Sequence, residues 1–297
     1  MPVMWHRVGG NRRVVVALVA LSLVACSEGV LRYGFEPGQD GARRVIVQSE
    51  AEGRQIDISQ GSARGVQGCR LDYLLYSPSV PEPNSDTLVV VGHGFLRSYE
   101  QMDGLSRRIA AAGLRTSSIS FCNSRIWDGR HRQNGHDMIA LADALHARHV
   151  IYVGFSAGGL AALIAGRDDE RTTGVVALDL VDRDGLGLAA ASGLDRPLIA
   201  LVGPPSSCNA ENNGLAALAA ARHAEIHQIP DATHCDFEAP TDWLCRRVCG
   251  ERPGSDRRRE QILATATKAV VTLAGHDGNG RRSPAASESL ASGARPM

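Results

Sequence analysis

The chain has 297 residues, 43% of them hydrophobic, which is enough apolar material for one sizeable core. Basic and acidic side chains each number 32, so no net field draws in nucleic acid, and no Lys/Arg block alternates with aromatics that would stack bases. These balances argue against a nucleic-acid partner and for a single α/β domain.

At the N-terminus, Arg7 and Arg12-Arg13 precede the apolar run Val14 to Ala25, the charged-then-hydrophobic layout of a secretory signal. That run is too short to span a bilayer comfortably. It ends in Leu23-Val24-Ala25-Cys26, which resembles the lipobox of bacterial lipoproteins. The resemblance implies cleavage after residue 25 and acylation of Cys26, anchoring the protein to a membrane of the cell envelope. An ordinary signal peptide, giving a secreted protein, and an uncleaved anchor are the alternatives. Residues 26–68 read as a tether plus an edge element, with only Val45–Val47 patterned as strand.

From Leu71 to Ile229, short apolar β-branched runs alternate with amphipathic stretches, the pattern of parallel strands joined by crossover helices. The predicted strands are Leu71–Ser77, Thr87–Val91, Thr116–Phe121, Val150–Gly154, Val175–Leu180, Leu198–Val202 and Glu225–Ile229. The predicted helices are Gln101–Ala112, closed by Gly113, then His136–Ala147, Ala157–Ala165, Leu215–Arg222 and Arg257–Leu273. The domain thus covers residues 69–275, and the Gly/Ser/Pro-rich stretch 276–297 reads as a disordered tail.

With Cys26 set aside, six of the seven cysteines remain: Cys69, Cys122, Cys208, Cys235, Cys245 and Cys249. An even number in an exported chain favours disulfides. Cys208 and Cys235 fall in loops where strands end, and Cys245 and Cys249 are spaced to face one another across a helical turn. A metal site competes poorly, because no Cys-x-x-Cys spacing occurs.

The run Gly154-Phe155-Ser156-Ala157-Gly158-Gly159 follows an apolar strand and opens an Ala/Leu-rich helix, the context that gives a Gly-x-Ser-x-Gly match its meaning. A sharp strand-to-helix turn strains the nucleophile's backbone and needs small residues two before and two after Ser156. A serine hydroxyl also needs a base. His234, in the loop after the last predicted strand, is the candidate. The third member should be a carboxylate that orients the imidazole. Asp179 is favoured, because a carboxylate inside so apolar a run is costly to bury without a partner. Asp182, with Asp184 beside it, and Glu211 remain substitute acids. For transition-state charge, the strand Leu88–Val91 runs into Gly92-His93-Gly94-Phe95, so the backbone N–H groups of Phe95 and Ala157 are the expected donors. His93 reads as a residue that holds this loop.

Together these motifs resemble the α/β-hydrolase superfamily, in particular its cutinase-like, chlorophyllase-like and platelet-activating-factor acetylhydrolase-like branch, over about Leu71 to Leu273. Members of that branch carry the acid on the strand after the nucleophile helix, which the resemblance places at Asp179. It implies an α/β-hydrolase fold with a mostly parallel sheet, helices on both faces and a serine esterase using no metal or organic cofactor. About 80 residues separate Ser156 from His234, which leaves no room for a large cap domain. Phe95, Leu96, Tyr99 and Trp127 sit in loops suited to lining an open pocket for a small or lipid-like ester. An acyltransferase, thioesterase or peptidase on the same three residues is an alternative. So is a non-catalytic surface lipoprotein that uses the fold as a binding module.

Overall fold

The computed structural model describes residues 32–37, 43–51, 53–80, 86–122 and 129–275. The expectations for the signal segment, Cys26, Trp127 and the tail 276–297 fall outside these residues.

One ten-stranded sheet organises the chain. Its strands are β1 (Arg32–Pro37), β2 (Arg43–Ala51), β3 (Arg54–Arg64), β4 (Arg70–Pro78), β5 (Thr87–Gly92), β6 (Arg115–Ile119), β7 (His149–Phe155), β8 (Thr172–Leu178), β9 (Leu198–Val202) and β10 (Ala224–Gln228). They lie side by side in the order β1-β2-β3-β4-β6-β5-β7-β8-β9-β10. From β1 to β6 the pairings are antiparallel, and from β6 through β10 they are parallel.

The parallel half is buried on both sides, which is why its strands read as continuous apolar runs. Leu88 and Val90 face one layer of helices, whereas Val89 and Val91 face the other. The first layer comprises α2 (His131–Ala144), α3 (Ala157–Asp168), α4 (Leu186–Ser192) and α5 (Leu215–Ala220), with Met138, Leu141, Leu160, Leu163, Ala190 and Leu218 in its core. On the opposite side, α1 (Asp103–Ala111) and α7 (Ser255–Ala274) bury Leu105, Ile109, Ile262, Ala266, Val270 and Leu273. The remaining helix, α6 (Trp243–Cys249), packs against the turns Ser207–Asn212 and His234–Phe237.

From β5 the sheet grows one way to β6 and the other way to β7. Such a switch opens a crevice at the carboxyl ends of the two flanking connections. Both motif-bearing turns, Gly92–Phe95 after β5 and Ser156 after β7, emerge there.

Three differences from the sequence reading have physical causes. Residues 26–68 are more than a tether with one edge element, since β3 alone runs eleven residues and pairs along the whole of β4. Its signal is muted because only Ile56 and Ile58 are buried, the rest of the strand being polar or small. Second, α4 and α6 are each seven residues long, too short for a helical period to stand out. Third, the chain forms disulfides Cys69–Cys122, Cys208–Cys249 and Cys235–Cys245, with Cα atoms 6.2, 5.6 and 5.9 Å apart. Cys245 and Cys249 do share one face of α6, but each bonds to a loop outside that helix.

Candidate active site

Ser156 stands between β7 and α3 with φ +55° and ψ −120°, a conformation sparsely populated by non-glycine residues. The turn persists because its surroundings leave no alternative. A Cβ on Gly154 would overlap the carbonyl of Gly158, and one on Gly158 would overlap the carbonyls of Gly92 and His93. Ser156 donates its N–H to Leu178 O at 2.9 Å, and its own carbonyl accepts from Gly159 N at 2.9 Å, so the elbow is stitched to β8 and to the first turn of α3.

β8 ends at Leu178, one residue earlier than a strand holding Asp179 would require, and Asp179 turns at φ +43°. Its carboxylate is 1% exposed. Oδ1 accepts from Gly203 N at 2.9 Å, Oδ2 lies 2.6 Å from His234 Nδ1, and Asn209 Nδ2 reaches both oxygens at 3.3 Å. An ionised carboxylate only accepts, so Nδ1 of His234 carries the proton and Nε2 is left as the basic nitrogen. Asn209 is fixed in turn, donating also to Pro204 O while its Oδ1 accepts from the N–H groups of Ser206 and Asn212. The sequence reading missed Asn209. Its only signal was position in the loop after β9, in the turn Ser207–Asn212.

The imidazole of His234 packs on the ring of Phe155, centroid to centroid 4.6 Å, next to the serine. Its loop is pinned from several sides. Asp236, 1% exposed, accepts from Thr233 N at 2.8 Å and from Arg258 Nε at 3.2 Å. Glu238 is fully buried, and burial raises its carboxyl above the usual range, opposed by the nearby Arg97 guanidinium. Arg97 Nε lies 3.1 Å from Glu238, and its other arm donates to Asp242 at 2.7 Å. Arg97 follows the Gly92–Leu96 loop directly, so it ties that loop to the one carrying His234.

His93 holds the same loop from the other side. Its Nδ1 donates to Gly94 O at 2.7 Å, Nε2 accepts from Phe121 N at 3.2 Å, and its ring lies 4.8 Å from that of Phe121. Burial lowers its pKa to about 4, so the ring stays neutral in the tautomer these two bonds require. Phe95 and Ala157 both line the adjoining cleft, and neither backbone N–H meets an acceptor among the described residues. Ala157 also begins α3, whose dipole favours negative charge at that point.

The substitute acids do not reach His234, although Asp182 and Asp184 stand on the wall of the cleft beside Ser156. Asp182 caps α4, accepting from Gly187 N at 2.6 Å and Leu188 N at 3.2 Å. Asp184 is exposed beside Arg183, and Glu211 is exposed in a left-handed turn at φ +55°. Only Asp179 meets His234.

The cleft beside Ser156 measures about 1030 Å³. Val66, Gln67, Arg130, Arg132, Arg183 and Leu186 help form its walls. Val66 and Gln67, read as part of the tether, therefore belong to the site, tied in by Val66 N donating to the buried Asp137 at 3.0 Å. Of the pocket residues expected alongside Phe95, Leu96 turns outward at φ +57°, and the Tyr99 hydroxyl points to Gln60 of β3 at 3.5 Å; neither lines the cleft. Cysteine sulfurs do cluster, as Cys235, Cys245 and Cys249, and as Cys69 and Cys122 near Asp137, but all are spent in disulfides rather than held as thiolates.

No family model matches the sequence, and no curated protein matches it. Solved structures do match. An acetyl xylan esterase from Paenibacillus sp. R4 superposes with a TM-score of 0.54 at 13% identity, covering 80% of this chain and 89% of that one. A dienelactone hydrolase from Anabaena variabilis gives 0.53 at 20% identity, over 70% and 96% of the two chains. A ferulic acid esterase from Streptomyces cinnamoneus gives 0.52 at 19%, over 77% and 86%. At these identities the likeness establishes the fold, which is that of the α/β-hydrolases.

Proposed function

From an α/β-hydrolase fold with Ser156 at its strained elbow, we propose that this protein is a serine hydrolase of carboxylic esters acting through Ser156, His234 and Asp179. The observation that carries the reading is the buried 2.6 Å contact between His234 Nδ1 and Asp179 Oδ2, made by the imidazole that packs on Phe155, the residue before Ser156. His234 Nε2 takes the Ser156 proton as the hydroxyl oxygen attacks the ester carbonyl. The N–H groups of Phe95 and Ala157 receive the developing oxyanion. Collapse expels the alcohol with the proton returned by His234, and the same base then activates water to hydrolyse the acyl-enzyme. Asp179 stabilises the imidazolium in both halves, held in place by Gly203 and Asn209.

An open cleft with walls that mix Val66, Phe95 and Leu186 with arginines and the carboxylates Asp182 and Asp184 suits esters of short to medium length better than fully enclosed lipids. Esterase activity in the superposed proteins supports the same reaction class. Three disulfides suit an oxidising compartment, consistent with export and with anchoring at Cys26. The test is labelling by a fluorophosphonate probe and hydrolysis of p-nitrophenyl esters of several chain lengths, in wild type and Ser156→Ala. Labelling and turnover lost together in the variant are expected. Folded wild-type protein that neither labels nor turns over would overturn the proposal.

A further inference from the structure

The helix α6 is amphipathic in the wrong sense for a globular surface. Its inward positions are Cys245, 5% exposed, and Cys249 one turn later, each crosslinked to a loop at the sheet's end. Its large apolar side chains point out: Trp243 is 72% exposed, Leu244 47% and Val248 67%. Apolar burial therefore does not hold this helix. Two disulfides and the Asp242 cap on Cys245 N do so instead. The Asp242–Arg97 ion pair joins α6 to the segment that carries Phe95 and Leu96, themselves 42% and 63% exposed. Five exposed apolar side chains thus lie on two segments linked by one bridge, and one of them, Phe95, stands on the cleft wall. Scattered single residues would need no explanation, but a covalently stapled cluster of this kind marks a contact surface.

We propose that α6, with Phe95 and Leu96, is a docking face for an anionic phospholipid bilayer, which the protein meets with its cleft turned toward the lipid. The chemistry fits that occupant. A Trp beside Leu and Val, flanked by arginines, is the composition of interfacial segments. Arg246 has a distant partner in Glu251 at 3.8 Å, and Arg247 has no ion-pair partner among the described residues, so a cation is left for lipid headgroups. Upstream, the apolar run Val14 to Ala25 has the layout of an export signal, and the membrane anchoring proposed at Cys26 would bring the chain to the same surface. The inference stands whether or not the site is an esterase.

The test uses the full chain carrying Cys26→Ser, so that acylation does not contribute, and vesicles of phosphatidylcholine with and without phosphatidylglycerol. The chain has three tryptophans, Trp5, Trp127 and Trp243, and comparison with a Trp243→Phe variant isolates the third. Brominated phosphatidylcholine should quench the parent more than Trp243→Phe, and that difference, which reports Trp243, should grow when phosphatidylglycerol is present. On an ester embedded in vesicles, Leu244→Ser/Val248→Ser should lose about tenfold in turnover, with turnover of a water-soluble ester unchanged. Equal quenching in parent and Trp243→Phe would overturn the proposal. So would self-association of the parent that the double variant abolishes in the absence of any quenching, which would assign the face to a second copy of the chain.

Discussion

His234 Nδ1 and Asp179 Oδ2 meet at 2.6 Å although 55 positions separate them in the chain. Among the described residues no Arg or Lys pairs with Asp179, and the hydrogen bonds it accepts from Gly203 and Asn209 fix its carboxylate plane. Replacing Asp179 by Asn should put a donor where Nδ1–H must donate, inverting the tautomer and cutting kcat by about 10³–10⁴ with the fold intact. Glu211→Gln should leave kcat within about twofold. Asp182→Ala should cost about 1 kcal/mol of stability through its cap rather than kcat. Steady-state kinetics with urea melts on the three variants separates these outcomes.

His93 makes stability depend on pH. Its pKa falls from 6.5 unfolded to about 4 folded, so between those values the unfolded chain binds the extra proton and stability drops as pH falls. The loss should reach about 3 kcal/mol by pH 4. Glu238 works in the opposite direction, since a raised carboxyl pKa favours the folded state at low pH and that contribution is lost as pH rises. The difference between wild type and His93→Gln cancels Glu238 and should isolate the histidine slope, measured as the urea midpoint at each pH.

Arg97 carries two carboxylates, one fully buried. Arg97→Met should strand Glu238 and cost about 3–5 kcal/mol, and adding Glu238→Gln should recover part of that loss. Recovery stays incomplete because Asp242 also loses its partner. A double-mutant cycle by chemical denaturation reads the coupling.

The disulfides Cys235–Cys245 and Cys208–Cys249 close loops of 10 and 41 residues. Loop-closure entropy gives them about 3 and about 4 kcal/mol. Because the first starts at the residue after His234, mild reduction should abolish turnover while far-ultraviolet circular dichroism still reports a folded sheet. Both signals recorded during a reductant titration provide the check.

The parallel half of the fold and the motif residues on it were legible because burial on both faces writes uninterrupted apolar runs, and because the elbow demands glycines at two fixed positions. Asp179 was legible for a related reason, a charge amid Val175–Leu180. What stayed hidden has one face in water or depends on distant partners. β3 shows only two buried apolar residues, and the cleft wall at Val66 and Gln67 follows from a long-range hydrogen bond to Asp137. Asn209 is an ordinary loop residue until Asp179 and Pro204 surround it. Leu96 and Tyr99 were misassigned to the pocket because sequence gives the loop but not the direction of its turn.

The stapling of α6 separates what holds that helix from what it displays. Where apolar contacts secure a helix, its outward composition is constrained by the core it shares. Here Cys245 and Cys249 take over that task, so Trp243, Leu244, Arg247 and Val248 can be exchanged at about 0.5 kcal/mol or less apiece. The segment is an interchangeable cassette on a scaffold that does not depend on its outward side chains. One framework can acquire new surface preferences by rewriting a single turn and a half of helix, without renegotiating its fold.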